Sequence, residues 1–596
     1  MQATNLVTMF LETVEKVGSK EALYQKNDGV YQGFSYNEFA KRIREFALGL
    51  AAMGITRGDR VALMSENRPE WPISDVGILS LGAINVPLYP TLTPKQVEYI
   101  LNDSETKVVI VSQPELLDKV QQISDNVPSL EKIILMDSTQ TDAEKTISFQ
   151  DVYQKGADFE KENPDYYQKA VKKIRTDDLC GIIYTSGTTG APKGVMLSHG
   201  NLLSNVKAGL AVLHIDEREI FLSFLPLCHS FERMAGQYAA LAVGATIYYA
   251  ESVEKVAENL TEVRPTVMTA VPRLFEKIYA RIIENANSGS FLKKRIFWWA
   301  INTGDKYVKA KKAGNVSGLL QRKYSLATKL VFSKLHQRIG GRLRFFVSGG
   351  APLSKDIAEF FYKAGILILE GYGLTDTSPV ITVNHEQKFK FGSVGQAVPG
   401  VAVKIADDGE ILTKGPHVMK GYYKNPDATA ETIDAESWLH TGDIGFLDDK
   451  GYLYITDRKK NIIVTSGGKN VTPSSIENLL ITSPYIEQVM VIGDKRKFLS
   501  ALIVPAFDSL KNSATAKQIQ YNTIEDLVNH PAIYQMIEED IERLTADLAR
   551  FEQIKKFTLL PNEFTIENGE MTPSLKIKRK VIAEKYADII DKMYEE

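Results

Sequence analysis

The sequence predicts an α/β protein: a large N-terminal domain of mostly parallel α/β sheets ending in a β-hairpin region, then a small α+β C-terminal domain. Three observations predict it. Short apolar runs alternate with helical stretches over the first 250 residues, the same alternation returns up to residue 373, and hairpin patterns replace it after about residue 395. Such alternation implies parallel sheets covered by helices.

In order, RVALMSEN (60–67) reads as a strand, Glu70 to Leu81 as a helix, and AINVPL (83–88), KVVIVS (107–112) and KIILMD (132–137) as further strands. GATIYYA (244–250), TVMTAVP (266–272), LRFFVSGG (343–350) and ILILEGYG (366–373) continue the series. Residues 401–416 read as a hairpin turning at Asp407-Asp408-Gly409, and 445–457 as a second. Beyond it, NIIVTS, QVMVIG and SALIVP are predicted strands, with one long helix over about 523–550. These patterns divide the chain into residues 1–456, with a basic helical insertion at 285–340, and residues 457–596, with the boundary at Asp457-Arg458. The alternation has no fixed period, which excludes a repeat architecture.

A chain of 596 residues with 44% hydrophobic and 24% charged residues has ample material for a folded core. Its two cysteines, Cys180 and Cys228, lie in apolar runs and form neither a disulfide framework nor a zinc pattern. Glu12 and Glu15 interrupt the first twenty residues, which therefore do not read as a secretory signal. The longest apolar stretch, 234–250, carries Gln237, two glycines and Thr246 and falls short of a membrane span. The expectation is a cytoplasmic protein, soluble or peripheral on the inner face of a membrane; homodimerisation is left open.

Charge is unevenly distributed. Residues 293–344 hold fourteen Lys or Arg and one acid, Asp305, so a segment at +13 leaves −16 for the rest of a chain whose total is −3. Phe297, Trp298 and Trp299 lie among these cations. Basic residues interleaved with aromatics suit an anionic membrane surface; the bland alternative is a solvated helical hairpin with its aromatics packed inward. Nucleic acid is not an expected partner.

The strongest local signal is LCGIIYTSGTTGAPKGVMLSHGN (179–201), a strand running into a loop of glycines and hydroxyls, then a lysine and a helix. Gly187, Gly190 and Gly194 would let backbone N–H groups approach phosphate. Thr185, Ser186, Thr188 and Thr189 offer hydroxyls, and Lys193 offers charge. Lys193 lies between Pro192 and Gly194, which excludes a Walker P-loop.

Through the string YTSGTTGAPKG, the sequence resembles the adenylate-forming superfamily of acyl-CoA synthetases, luciferases and peptide-synthetase adenylation domains. Further blocks match in order: LPLCHSFERM (225–234), VSGGAPLS (347–354), EGYGLTDTSP (370–379), WLHTGDIGFLDDKGYLYITDRKKNIIVTSGGKN (438–470) and MTPSLKIKRK (571–580). The resemblance implies a nucleotide site at Gly349, Gly350, Ala351, Pro352, Glu370, Gly371, Tyr372, Gly373, Thr375, Asp443, Ile455 and Arg458, besides the 185–190 loop and Lys193. It implies Mg²⁺ at Thr185 and Asp376, where the family usually has Glu and a shorter Asp favours a bridging water. It places His229, Phe231 and Gly350 at the acyl pocket, and Ser466, Gly467, Gly468 and Lys469 against coenzyme A. Asp457 becomes the hinge of a mobile C-terminal domain and Lys576 the adenylation lysine, here preceded by Leu575 where glycine is common. Lys576, Thr185, Lys193, Thr375 and His229 are the implied catalytic set.

The activity so implied joins a fatty acid to coenzyme A at the expense of ATP, through an acyl-adenylate. LPLCHSFER, PRLFEKIY (272–279) and the basic insertion are similar to the long-chain synthetases. The alternatives are another acyl- or aryl-CoA ligase, a fatty acyl-AMP ligase that loads a carrier protein, or a non-catalytic acyl-binding scaffold.

Overall fold

The computed structural model describes residues 2–137, 145–185, 191–287, 289–565, 568–572 and 576–595. Two large sheets dominate the N-terminal part. An eight-stranded sheet holds, at its centre, Ile84–Leu88, Arg60–Met64, Val108–Val111 and Lys132–Leu135 in parallel, with Leu179–Thr185 and Lys193–Ser198 on one flank. A nine-stranded sheet runs Leu367–Gly373, Phe345–Ser348, Val267–Ala270, Ile220–Ser223 and Thr246–Tyr249 in parallel neighbours. The predicted strands form, trimmed by up to three residues at an end. Ile220–Ser223 had no sequence reading, and neither had Glu21–Asn27, which pairs in parallel with Thr246–Tyr249 across more than 200 residues.

The predicted helix is Glu70–Ser80, buried on nearly every side. From it Asp75 meets Arg233, and both side chains are fully buried. Tyr238 Oη (2.6 Å) and Asn85 Nδ2 (2.7 Å) also donate to the Asp75 carboxylate. Charges taken out of water persist when paired and hydrogen-bonded in this way. The network joins this helix to Glu232–Tyr238, one turn of π-helix next to the candidate acyl pocket.

Both predicted hairpins occur in a four-stranded sheet of Ala402–Ile405, Glu410–Lys414, Leu439–Leu447 and Leu453–Arg458. Gly409, at φ +86, closes the first turn in a conformation that disfavours a side chain.

The chain after residue 460 has its own core, around Leu480, Val489, Ala501, Ile503, Ile533 and Ile537. Two expectations need correction there. NIIVTS does not join the sheet: only Ile463–Val464 is extended, and it pairs with Asn470–Val471. The third strand is Ile554–Leu559, whose exposed lysines hid its pattern. The single long helix is two, Ile524–Val528 and Pro531–Thr545. Pro531 has no N–H to donate and starts the second helix at its first position, where His530 Nδ1 accepts from Ala532 N (3.2 Å).

Among the described residues no helix is long and apolar enough to cross a membrane. The basic insertion forms helices Phe291–Lys312 and Gly318–Ala327. Its aromatics divide: Phe297 is buried, Trp299 half-buried and Trp298 exposed. Cys180 and Cys228 are buried, and burial pushes the Cys180 thiol up to about 12.

Candidate active site

Inner strands of the two sheets, the hairpin region and the C-terminal part border one continuous cleft of about 1960 Å³. That exceeds the roughly 300–1,000 Å³ of a site for one small molecule, so the cleft has room for more than one substrate.

Its glycines are dictated by close approach. Residues 349–352 leave the end of Phe345–Ser348; a Cβ on Gly349 would lie 3.0 Å from the Phe231 ring, and Gly350 has φ +84. On the neighbouring strand, a Cβ on Gly373 would lie 1.7 Å from Pro379 O, which only glycine permits. Glu370 sits behind this face. Its carboxyl meets the backbone of Leu353 and Gly392, and burial raises it to about 8.

Tyr372 Oη donates to Asp443 Oδ2 at 2.6 Å, and Arg458 Nε lies 3.3 Å from Asp443 Oδ1. Antiparallel pairing of Asp443 with Arg458 sets the second contact. Burial raises the Asp443 carboxyl, and the Arg458 charge works against that rise. Ile455 packs beside Tyr372. Thr375 Oγ1 lies 3.2 Å from Ser230 Oγ, which links this end to the LPLCHSFERM segment.

Thr185 and Lys193 face each other across paired strands. Ser186, Gly187, Thr188, Thr189 and Gly190 lie outside the described residues. Lys193 Nζ stands 5.0 Å over the Tyr422 ring, and Tyr422 Oη donates to Asp376 Oδ1 at 2.5 Å. Burial raises the Asp376 carboxyl, with Tyr422, Arg458 and Lys193 opposing. Sequence reasoning missed Tyr422; its only signal was the exposed-looking run KGYYKN, 229 residues from the Lys193 it lies against.

His229 Nδ1 accepts from Phe231 N at 3.1 Å, which leaves the proton of the neutral ring on Nε2. Burial lowers this imidazole to about 4, and the nearby Lys576 charge adds to the effect. Lys576 thus reaches into the cleft from the C-terminal tail. Burial, with the Arg458 charge adding and Asp443 opposing, lowers its ammonium to about 8. The structure does not bring Ser466, Gly467, Gly468 and Lys469 to the cleft. They form the exposed tip between Ile463–Val464 and Asn470–Val471, with Lys469 Nζ 5.8 Å from the Phe551 ring.

Asp457 is buried beside this junction. Its Oδ1 accepts from Arg458 N (2.6 Å) and its Oδ2 from Ser474 N (3.1 Å), so one carboxylate spans the end of the hairpin sheet and the start of helix Pro473–Leu480.

The family model for AMP-binding enzymes matches residues 10–423, and that for the AMP-binding enzyme C-terminal domain matches 460–596. The chain belongs to the AMP-binding enzyme family. Similar relatives within it include the long-chain-fatty-acid–CoA ligase FadD15 of Mycobacterium bovis, 38% identical over 99% of this chain and 97% of the relative. The peroxisomal long chain acyl-CoA synthetase 7 of Arabidopsis thaliana is 33% identical over 95% and 82%. Solved structures share the fold at lower identity. The anthranilate CoA ligase AuaEII in complex with anthranoyl-AMP superposes at TM-score 0.76, with 21% identity over 99% of this chain and 98% of that one. The adenylation domain of the carboxylic acid reductase from Segniliparus rugosus, in complex with AMP and a co-purified carboxylic acid, superposes at 0.75 with 21% identity over 100% and 94%.

Proposed function

We propose that this AMP-binding enzyme joins a long-chain fatty acid to coenzyme A in two steps. The observation that carries the reading is that Lys576, from the C-terminal tail, lines the same cleft as His229 and Asp443, near enough for its charge to act on both. In the first step a carboxylate oxygen attacks the α-phosphorus of ATP and pyrophosphate departs. In the second the thiol of coenzyme A attacks the acyl carbonyl and AMP departs. Both steps gather negative charge, so the protein's part is positioning and electrostatic stabilisation.

Tyr372 offers a flat face to adenine, and Asp443, an acceptor when ionised, takes the ribose hydroxyls with Arg458 beside it. Lys193 and residues 185–190 are the ones assigned to the outgoing pyrophosphate. Lys576 bridges the carboxylate and the α-phosphate, while neutral His229 and Phe231 shape the neck of the acyl pocket. Asp376 and Thr185 are the residues that would hold magnesium. Asp376 fits that role: a buried carboxyl with one oxygen engaged by Tyr422 would gain from a cation. Among the described residues no three His, Cys, Asp or Glu side chains form a cage, which suits an ion shared with phosphates and water. When bound, magnesium supplies positive charge at the phosphate oxygens.

Lys576 lies in the cleft and the 466–469 tip outside it, an arrangement that favours the adenylating posture. Rotation about Asp457 would exchange the two for thioester formation. The test is Lys576→Ala assayed in both half-reactions. Acyl-AMP formation should fall about 10²- to 10³-fold, while thioester formation from supplied acyl-AMP stays close to wild type. An equal loss in both would reject the role given to Lys576.

The basic insertion is proposed to rest on an anionic bilayer. Phe291, Leu292, Trp298, Leu319, Leu326 and Leu330 are exposed there among the lysines and arginines. Sedimentation with anionic vesicles should be salt-sensitive and should disappear with neutral ones; no binding to either would remove the membrane role and leave the chemistry untouched.

A further inference from the structure

The apolar arm of the cleft runs along three adjacent parallel strands. Phe345, Val347 and Gly349 alternate on one face, and Val267 and Thr269 continue that face next door. Phe221, Val267 and Phe345 stand abreast in register, as the last row before the strands begin. From Gly349 to this row is four residues, or about 13 Å at roughly 3.3 Å per residue. An extended alkyl chain with bonds of about 1.5 Å advances about 1.25 Å per carbon, so the strands cover roughly ten carbons. The tail of a long-chain acid must therefore pass Phe221 and Phe345 and enter the space bounded by Leu210, Leu213, Ile215 and Val383.

A polar cluster lies just beyond that space, on the same three segments. Arg344 precedes Phe345, Glu219 precedes the Phe221 strand, His214 sits between Leu213 and Ile215, and Glu386 follows Val383 by three residues. The Arg344 guanidinium pairs with Glu219 and, at 3.1 Å, with Glu386 Oε2; it also donates to His214 O at 2.9 Å. Glu386 Oε1 in turn accepts from His214 N at 3.1 Å. One guanidinium, with donors fixed in a plane, thus ties together three segments that share no strand pairing at this point. Glu219 is buried, so an alkyl tail cannot displace its partner without stranding a charge.

We infer that this Arg344-centred cluster is the end stop of the acyl tunnel and sets the longest chain the enzyme accepts. The inference rests on the fatty-acid reading above. With the stop in place, each further carbon must bend or stay in water. With it loosened, the tail advances between the 213–219 and 384–388 segments and gains about fourfold per newly buried methylene.

The test compares kcat/KM for acyl-CoA formation across saturated fatty acids from medium to very long, in wild type, Arg344→Met, Glu386→Gln and Leu213→Phe. Arg344→Met keeps the aliphatic stem, and the half-exposed Glu386 gives a second, milder variant should the first unfold. Both should move the profile toward longer acids, at least about fourfold for the longest, with an unchanged KM for ATP. Leu213→Phe should cut the longest acids and spare the shorter. A profile that does not move in folded Arg344→Met and Glu386→Gln overturns the inference while leaving the activity intact, as does an equal fall at every chain length. No acyl-CoA from the wild type overturns the underlying reading as well.

Discussion

At its polar end the cleft is lined by side chains that fix one another: Tyr372 on Asp443, Arg458 beside it, Tyr422 on Asp376, Thr375 against Ser230. At its apolar end the walls are Phe221, Val267, Phe345, Leu210 and Leu213, which have shape but no direction. The difference is one of tolerance. A hydrogen-bonded site fails when one partner is removed, because the remaining buried group is stranded. An apolar wall changes the volume it offers and keeps its chemistry. Substitutions at the two ends should therefore differ in kind: loss of turnover at one, a shifted substrate profile at the other.

The largest expected effect lies at the junction. Lys576 titrates near 8 in this structure, so it is charged below that pH and loses its charge above it. For the adenylation half-reaction, kcat/KM reports the free enzyme and should decline as pH rises past about 8. Arg, charged at all accessible pH values, should remove that decline in Lys576→Arg even at a lower overall rate. A decline that persists in Lys576→Arg would assign it to another group. Thioester formation from acyl-AMP should lack this limb altogether.

Gly373→Ala comes next. Its Cβ would fall 1.7 Å from Pro379 O, within backbone that cannot give way cheaply. The expected cost is about 1–3 kcal/mol or more, seen as a lower denaturation midpoint together with lost adenylation. Wild-type stability in this variant would show that the 373–379 turn can move, and with it Thr375 and Asp376. Tyr372→Phe should cost less. It leaves the buried Asp443 without its 2.6 Å donor, a loss of about 1–3 kcal/mol. Because Asp443 faces the nucleotide in the proposed mechanism, the readout is a KM for ATP raised roughly tenfold with the acyl profile unmoved. A shifted chain-length profile would break the separation of the two ends.

That separation also explains what the sequence could disclose. The polar end is concentrated in short strings in which hydroxyls, glycines and charges depart from the pattern of a core, and the resemblance of these strings to the adenylate-forming superfamily pointed to Tyr372, Asp443, Arg458 and Lys576 without coordinates. Tyr422 escaped because a tyrosine in KGYYKN differs in nothing from a surface residue until the fold sets it between Lys193 and Asp376. The acyl end was illegible for a stronger reason. Phe221, Val267 and Phe345 are i, i+2 strand residues like any in a buried sheet, and their row exists only through register between strands about 50 and 80 residues apart. In the fold, the central parallel strands were readable from continuous apolar runs, whereas Ile554–Leu559 was masked by lysines and Glu21–Asn27 by its distant partner.

The smallest predicted effect tests the tolerant end by the same chemistry that should ruin the other. Gly209 lies in helix His199–Val212 and borders the tunnel, and a Cβ built there meets nothing within 4 Å. Its backbone is helical and needs no glycine, so Gly209→Ala restricts the unfolded chain without strain and should raise stability by about 0.4–1 kcal/mol. The added methyl also narrows the tunnel beside Leu210 and Leu213. The expected result is a slightly higher melting temperature, unchanged KM for ATP, and a modest loss confined to the longest acids. A loss of adenylation with every acid would mean that this helix reaches the chemistry, and that the two ends of the cleft are one coupled site.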